Sequence, residues 1–314
     1  MVSLFLRAGA DPNDRDLGSD FDRTVAPALK HAIPFEGIFR RLLAAGADPT
    51  AVDSINISVI GHALRSGRTA VVQMLIDEGL DLSLYLTHSN LLHEAVRGGR
   101  AVLELLLAAG KWDSLLLPTN LDLSSREKAL GIAAEAGEIQ TLRWLLDRGF
   151  LPVRGPQLPP PTVHLLGLAS CTNAADADAA TILDLLLQAG LDINEIISRE
   201  TALTLLADRC YSRGEPQHGR LRMRMLLERG ANLLPPQSLP QATRYHTVSR
   251  FDLNLIGRHP DLDEMVFQEL ETRREPWPVV ERLFRWAKTC ARERRNPDFL
   301  RTIEQYSWRV RYPV

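Results

Sequence analysis

A chain of 314 residues with 45% hydrophobic and 24% charged side chains has ample apolar material for a continuous core. Its net charge of −2 predicts no general attraction to nucleic acid or to an anionic membrane surface. Cys171, Cys210 and Cys290 are far apart and odd in number, and no apolar run reaches signal-peptide or membrane length; free thiols in a reducing, cytoplasmic or nuclear compartment are expected, and not secretion.

The chain opens on Val2 to Arg7, a short apolar helix that ends at Gly9. It reads as the second half of a helix pair with no first half before it, and a shortened start is the expectation. The regular part runs from about residue 22 to residue 110. Within residues 90–110, Leu91, Leu92, Ala95 and Val96 give one helix an apolar face. Gly98 and Gly99 are expected to break that helix and turn the chain. Val102, Leu103, Leu105, Leu106 and Leu107 then make a second helix, apolar around most of its circumference, which neighbours must cover on both sides.

The same pair recurs. Glycines that close the second helix stand at Gly9, Gly46, Gly79, Gly110, Gly149, Gly190 and Gly230, which by subtraction gives spacings of 37, 33, 31, 39, 41 and 40 residues. Before each stands an apolar pair, from Phe5-Leu6 and Leu42-Leu43 to Leu186-Leu187 and Leu226-Leu227. The first helix repeats as a large apolar residue followed three positions on by alanine: Leu29 and Ala32, Ile60 and Ala63, Leu92 and Ala95, Leu130 and Ala133, Leu166 and Ala169, with Leu203 and Leu206 as a bulkier last copy. After Gly110 the connections lengthen, through residues 111–126, the proline-rich 151–162, the Ala/Asp-rich 172–180 and 211–219. The last two are expected to lengthen the loop between paired helices.

Seven marked units at a period near 33 residues define a solenoid, and they resemble the ankyrin repeat. The resemblance is closest where Ser58-Val59-Ile60-Gly61-His62-Ala63 stands in place of the family's Thr-Pro-Leu-His-x-Ala turn. Leu92-His93-Glu94-Ala95 keeps the Leu-His-x-Ala wording, and Thr201-Ala202-Leu203 keeps the threonine. No copy carries the complete motif. The resemblance implies an all-α solenoid of about six to seven helix-turn-helix repeats with short hairpin loops over residues 1–234. Residues 235–314, where the repeat pattern fails, read as a linker followed by helices at 261–271, 277–294 and 297–309 that cap the array. Phe299, Leu300, Ile303, Tyr306 and Trp308 form the apolar stripe of the last one. Residues 282–311 hold nine Lys/Arg against three Asp/Glu, a local +6 that leaves −8 for the remainder. A solvated face is the reading preferred there over a nucleic-acid contact.

No phosphate loop, zinc-protease helix, paired CxxC or serine elbow is present. His164 and Cys171 could be a base and a nucleophile or simply structural. His31, His62 and His93 lie in successive units, yet repeat layers about 10 Å apart are too far for one ion. No metal and no cofactor are expected. The resemblance implies a groove lined by hairpin tips and by the exposed ends of first helices. Carried over unit by unit, these are Arg23, Thr24 and Phe35; Ser54, Ile55, Ile57, Arg65 and Ser66; Leu86, Thr87, Ser89 and Arg97; Ser124, Ser125, Glu127 and Glu135; and Cys171, Thr172, Ser198 and Glu200. The implied function is a scaffold holding a partner protein or peptide in that groove. Arg65 and Arg97, in equivalent places, either grip an acidic partner or are two solvated arginines. The alternative is an enzyme or small-molecule binder whose groove is closed by the long loops and the C-terminal helices.

Overall fold

The computed structural model describes residues 1–16, 26–79, 90–110, 123–151, 164–172, 174–197, 201–206, 216–232 and 297–311, with single positions at 268, 281, 284, 285, 288 and 292. It divides into two compact units, Met1–Pro156 and Gln157–Val314. In the first, helix α1 (Val2–Arg7) is followed by a two-residue antiparallel pairing of β1 (Arg15–Asp16) with β2 (Ala26–Pro27). Four helix pairs follow: α2 (Ala28–Ala32) with α3 (Glu36–Ala44), α4 (Val59–Arg65) with α5 (Thr69–Asp77), α6 (Asn90–Gly98) with α7 (Arg100–Ala108), and α8 (Leu123–Ala136) with α9 (Ile139–Asp147). The second unit contains α10 (Leu165–Ser170), α11 (Asp176–Gln188), a helical turn over 202–206, α12 (Pro216–Glu228) and α13 (Pro297–Arg311).

Each predicted marker glycine adopts the left-handed conformation, with φ between 64° at Gly110 and 96° at Gly190. Only glycine enters that region without a Cβ penalty, which is why one residue type recurs at every second-helix end. The first-helix signature is core throughout. Leu29, Ile60, Leu92, Leu130, Leu166 and Leu203 are all buried, as are the residues three positions on, Ala32 through Leu206. Each buried leucine contributes about 1.5–3 kcal/mol over its exposed state, so the repeated stripe supplies much of the array's stability. Trp144 is buried in α9 with the Arg148 guanidinium 4.2 Å from its ring centroid.

Three first helices start on a side-chain acceptor in one shared slot, whereas α2 has Pro27 there and no side-chain cap. Ser58 Oγ accepts from the Gly61 N–H at 3.1 Å and Thr201 Oγ1 from the Thr204 N–H at 3.2 Å. At α10 the acceptor is an imidazole, His164 Nδ1, which takes the Gly167 N–H at 3.2 Å. Burial pushes the His164 ring down to about 4, and the nearby backbone of Glu195 only partly opposes this. At neutral pH the ring is uncharged in the folded and unfolded chain alike. As pH falls from 6.5 towards 4, the unfolded chain takes up a proton that the folded ring refuses, so stability drains away over that window, by about 3 kcal/mol in all. His164→Asn keeps a capping oxygen without the titration. Denaturation curves at pH 7 and pH 4.5 should show a distinctly smaller loss for the variant. Equal losses would remove His164 from the acid response.

Several local expectations need correction. Gly98 does not break α6 but is its last residue, and Gly99 alone carries the left-handed turn, with φ 89°. Residues 172–180 lengthen the connection only in part: from Asp176 onward they are the first turns of α11, whose Asp176 and Asp178 complement the positive helix start. Likewise 216–219 open α12, with Pro216 at the position where a missing N–H costs nothing. In α13, Ile303 and Tyr306 are buried as expected, but Trp308 is 60% exposed and lies off the stripe. The proline-rich 152–161, the linker and most of the two preceding C-terminal helices fall outside the described residues.

Candidate binding surface

The best-defined projection from the array is the hairpin at 53–57. Asp53 is buried and organises it. Its Oδ1 accepts the Ile55 and Ile57 N–H groups at 3.1 and 2.9 Å, and its Oδ2 accepts Lys30 Nζ at 2.9 Å and lies 2.7 Å from His62 Nε2. Burial works against ionisation. The Ile57 N–H, the Lys30 ammonium and the His62 ring outweigh it and hold the Asp53 carboxyl well below the usual carboxylate range. The Asp53 N–H donates to the Ile57 carbonyl, Val52 bridges Ser58, and Asn56 takes a left-handed φ of 62°. A loop tied at so many points has one conformation, and it carries Ile55 out into solvent, 62% exposed. Phe35, which closes the turn before α3, is 59% exposed.

A second buried carboxylate, Glu94, ties two repeats. Its Oε1 accepts Arg97 Nη1 at 2.9 Å and its Oε2 lies 3.7 Å from Arg65 Nε. Arg65 and Arg97 thus share one internal carboxylate, Arg97 through a hydrogen bond and Arg65 through a longer ion pair, and it offsets half their charge. Next to them His93 is lowered by burial, offset in part by a hydrogen bond to the Ser125 backbone, and Lys128 and Arg97 push the same way as burial.

The remaining expected lining residues separate into groups. Ser54 and Ser66 are exposed, Ile57 and Glu135 half-buried. Ser125 and Glu127, at 6% and 4% exposure, do not line an open face. The cause is the start of α8, at Leu123, seven positions before Leu130. The corresponding start of α4 lies one position before Ile60, so the stretch expected to be a hairpin tip is helix here. Ser124, half-buried, goes with it. Cys171 and Thr172 are also buried. Moreover, His164 and Cys171 cap opposite ends of the six-residue α10, roughly 10 Å apart at helical rise, so they are no base and nucleophile. Arg23, Thr24, Leu86, Thr87, Ser89, Ser198 and Glu200 lie outside the described residues. Among the described residues no group of three or more His, Cys, Asp or Glu is placed to hold a metal, and no helix is long and apolar enough to cross a membrane.

Two sets of contacts escaped the pattern of the sequence. Asn13 and Asn194 each stand four residues after a marker glycine and each reaches the next marker: Asn13 Nδ2 donates to the Gly46 carbonyl and Asn194 Nδ2 to the Gly230 carbonyl, both at 3.1 Å. Their Oδ1 atoms accept the N–H of Asp48 at 2.7 Å and of Asn232 at 2.6 Å. The shared offset is the one signal that could have revealed them. Arginines stitch later repeats. Arg126 donates to the Gly149 and Phe150 carbonyls, and Arg229 makes a two-pronged pair with Asp184.

Paired helices, a left-handed glycine after each second helix, side-chain caps on three first helices and the hairpin before α4 make an all-α ankyrin-type repeat fold. No protein-family model matches the chain, and no curated protein matches it. Among solved structures it is similar to the ankyrin repeat domain of human ASB11, with 16% identity and a TM-score of 0.47, over 78% of this chain and 98% of that one. It is also similar to an ankyrin repeat domain from Acinetobacter baumannii AYE (22% identity, TM-score 0.39, 65% and 98% covered). A third similar structure is the ankyrin repeat domain of Bcl-3 (19% identity, TM-score 0.28, 74% and 79% covered).

Proposed function

We propose that this chain is a protein-interaction module of the cytoplasm or nucleus. Residues 1–234 form an array whose groove receives a partner protein or peptide, and residues 235–314 cap it. The observation that carries this reading is the pairing of an exposed apolar side chain with a rigid mount: Ile55 projects from a hairpin anchored through Asp53. An apolar residue held in water by a buried, fully bonded carboxylate gains the folded chain nothing, but it suits a binding anchor because little ordering remains to be done on association. Phe35, Arg65, Ser66 and Arg97 extend the surface.

The test is capture from native lysate, read by mass spectrometry, with Ile55→Asp beside the unmodified chain. Ile55 suits the purpose better than Arg65 or Arg97, whose reversal would set new carboxylates against Glu94. Loss of an anchor worth more than about 1.4 kcal/mol should lower capture at least about tenfold while the melting curve stays unchanged. Capture of the same proteins at the same yield would move the binding surface elsewhere.

A further inference from the structure

Three inter-helix turns of the first unit, α4–α5, α6–α7 and α8–α9, touch in succession. A Cβ built on Gly67 would stand 3.0 Å from the Gly98 carbonyl oxygen, and one built on Gly99 would stand 4.0 Å from Glu138 Oε2. Two positions recur in these turns at fixed offsets from the buried alanine of the first helix. Two residues after Ala63, Ala95 and Ala133 come Arg65, Arg97 and Glu135; five residues after come Arg68, Arg100 and Glu138. All are exposed except Glu135, which is half-buried. The edge thus carries four guanidiniums in two repeats and two carboxylates in the third. Glu94 offsets one positive charge and Glu104, 2.7 Å from Arg100, another. Four minus two leaves +2 over the first two turns, whereas the third turn presents the exposed Glu138 carboxylate.

We infer that this edge docks an extended, charge-ordered segment of a partner protein. Acidic side chains of that segment face the α4–α5 and α6–α7 turns, and a basic one faces the α8–α9 turn. Packed helix layers lie about 10 Å apart and an extended chain advances about 3.3 Å per residue, so successive charges in the segment fall about three residues apart. Glu94 prepares the surface by holding Arg97 through a hydrogen bond, with Arg65 beside it in a longer ion pair. A guanidinium has five N–H donors, and the contact with Glu94 engages few of those on Arg97, so an incoming carboxylate meets an arginine that is already oriented. The reversal of sign along the edge makes the order of charges in the segment, and not its total charge, the quantity that is read.

This inference rests on the reading that the array binds a protein. Its test uses a fluorescein-labelled decapeptide on a Gly/Ser/Ala background, with aspartates at its third and sixth positions and lysine at its ninth, titrated with the full chain and followed by anisotropy. Binding should weaken about tenfold or more between about 50 and about 300 mM salt. A peptide of identical composition with the lysine between the two aspartates should bind about tenfold more weakly than the ordered one, and Arg68→Glu should abolish that preference. Equal binding of the two peptides, or binding of neither, overturns the inference. If capture from lysate still falls with Ile55→Asp in that case, the interaction function stands without the charged edge. Absence of any captured protein would remove both.

Discussion

Gly98→Ala should lower the stability of the first unit by about 3 kcal/mol or more, at the upper end of what adding a single methyl to a packed site costs. A Cβ at this position would stand 1.9 Å from the Leu64 carbonyl oxygen and 3.2 Å from a methyl of Val102. The first obstacle is main chain at the end of α4, so no rotamer change relieves it; α4 and α6 must move apart, and the buried faces carrying Ile60, Ala63, Leu92 and Ala95 open with them. Two other glycines separate this steric effect from ordinary glycine effects. Gly46 has nothing near its absent Cβ but a φ of 89°, so Gly46→Ala should cost about 1 kcal/mol, through backbone strain alone. Gly37 lies inside α3 with no neighbour and no positive φ, so Gly37→Ala should stabilise by about 0.5–1 kcal/mol. Chemical denaturation of the three variants should give that order. A Gly98→Ala chain as stable as Gly46→Ala would mean that α4 and α6 do not approach so closely.

The other large effect is expected at Arg222, 5% exposed. Its guanidinium, reaching from α12, gathers the chain between α10 and α11. It donates to the Ser170 carbonyl at 3.2 Å, to the Thr172 carbonyl, to the Ala174 carbonyl at 2.6 Å, and through Nε to Asp176 Oδ1 at 3.1 Å. Carbonyls at a helix end and in the connection after it have no partner within a helix, and here one side chain serves one of the first kind and two of the second. Arg222→Met keeps much of the aliphatic volume but strands these acceptors and the Asp176 charge. We expect a loss of about 3–5 kcal/mol, confined to Gln157–Val314. Arg222→Lys should rescue little, because a single ammonium cannot span acceptors arranged for a planar fork. Proteolysis should then cut within residues 157–232 first. A variant as resistant as the parent would show that solvent replaces the arginine.

What the sequence makes legible here is whatever a local rule writes into residue type. A left-handed helix end demands glycine, so seven glycines and their spacing disclose the repeat. A stripe buried between layers demands apolar residues at helical period, so Leu29 to Leu206 disclose the core. The surface is less legible because its residues are placed by contacts between units. Glu94 sits among Leu92 and Ala95 with nothing in its own neighbourhood to announce that Arg65, 29 residues earlier, meets it. Ser125 and Glu127 look like hairpin residues until α8 starts two turns early and buries them. Arg222 is one arginine among several in its helix, and its partners lie 46 to 52 residues back. By contrast, Arg68 and Arg100 repeat at the period of the array and were open to discovery by spacing alone.

The asparagine brackets at Asn13 and Asn194 have a bearing on how such an array comes apart. The amides of Asp48 and Asn232 belong to exposed residues in surface turns, where hydrogen exchange with solvent is ordinarily fast. Each is held instead by an oxygen from the preceding repeat. Neither can exchange through motion of its own turn while the bracket holds; the seam between two repeats must open first. These two amides therefore time the separation of neighbouring repeats, one at the first seam of the chain and one at the last marked seam, and distinguish an array that frays from its ends from one that opens as a whole.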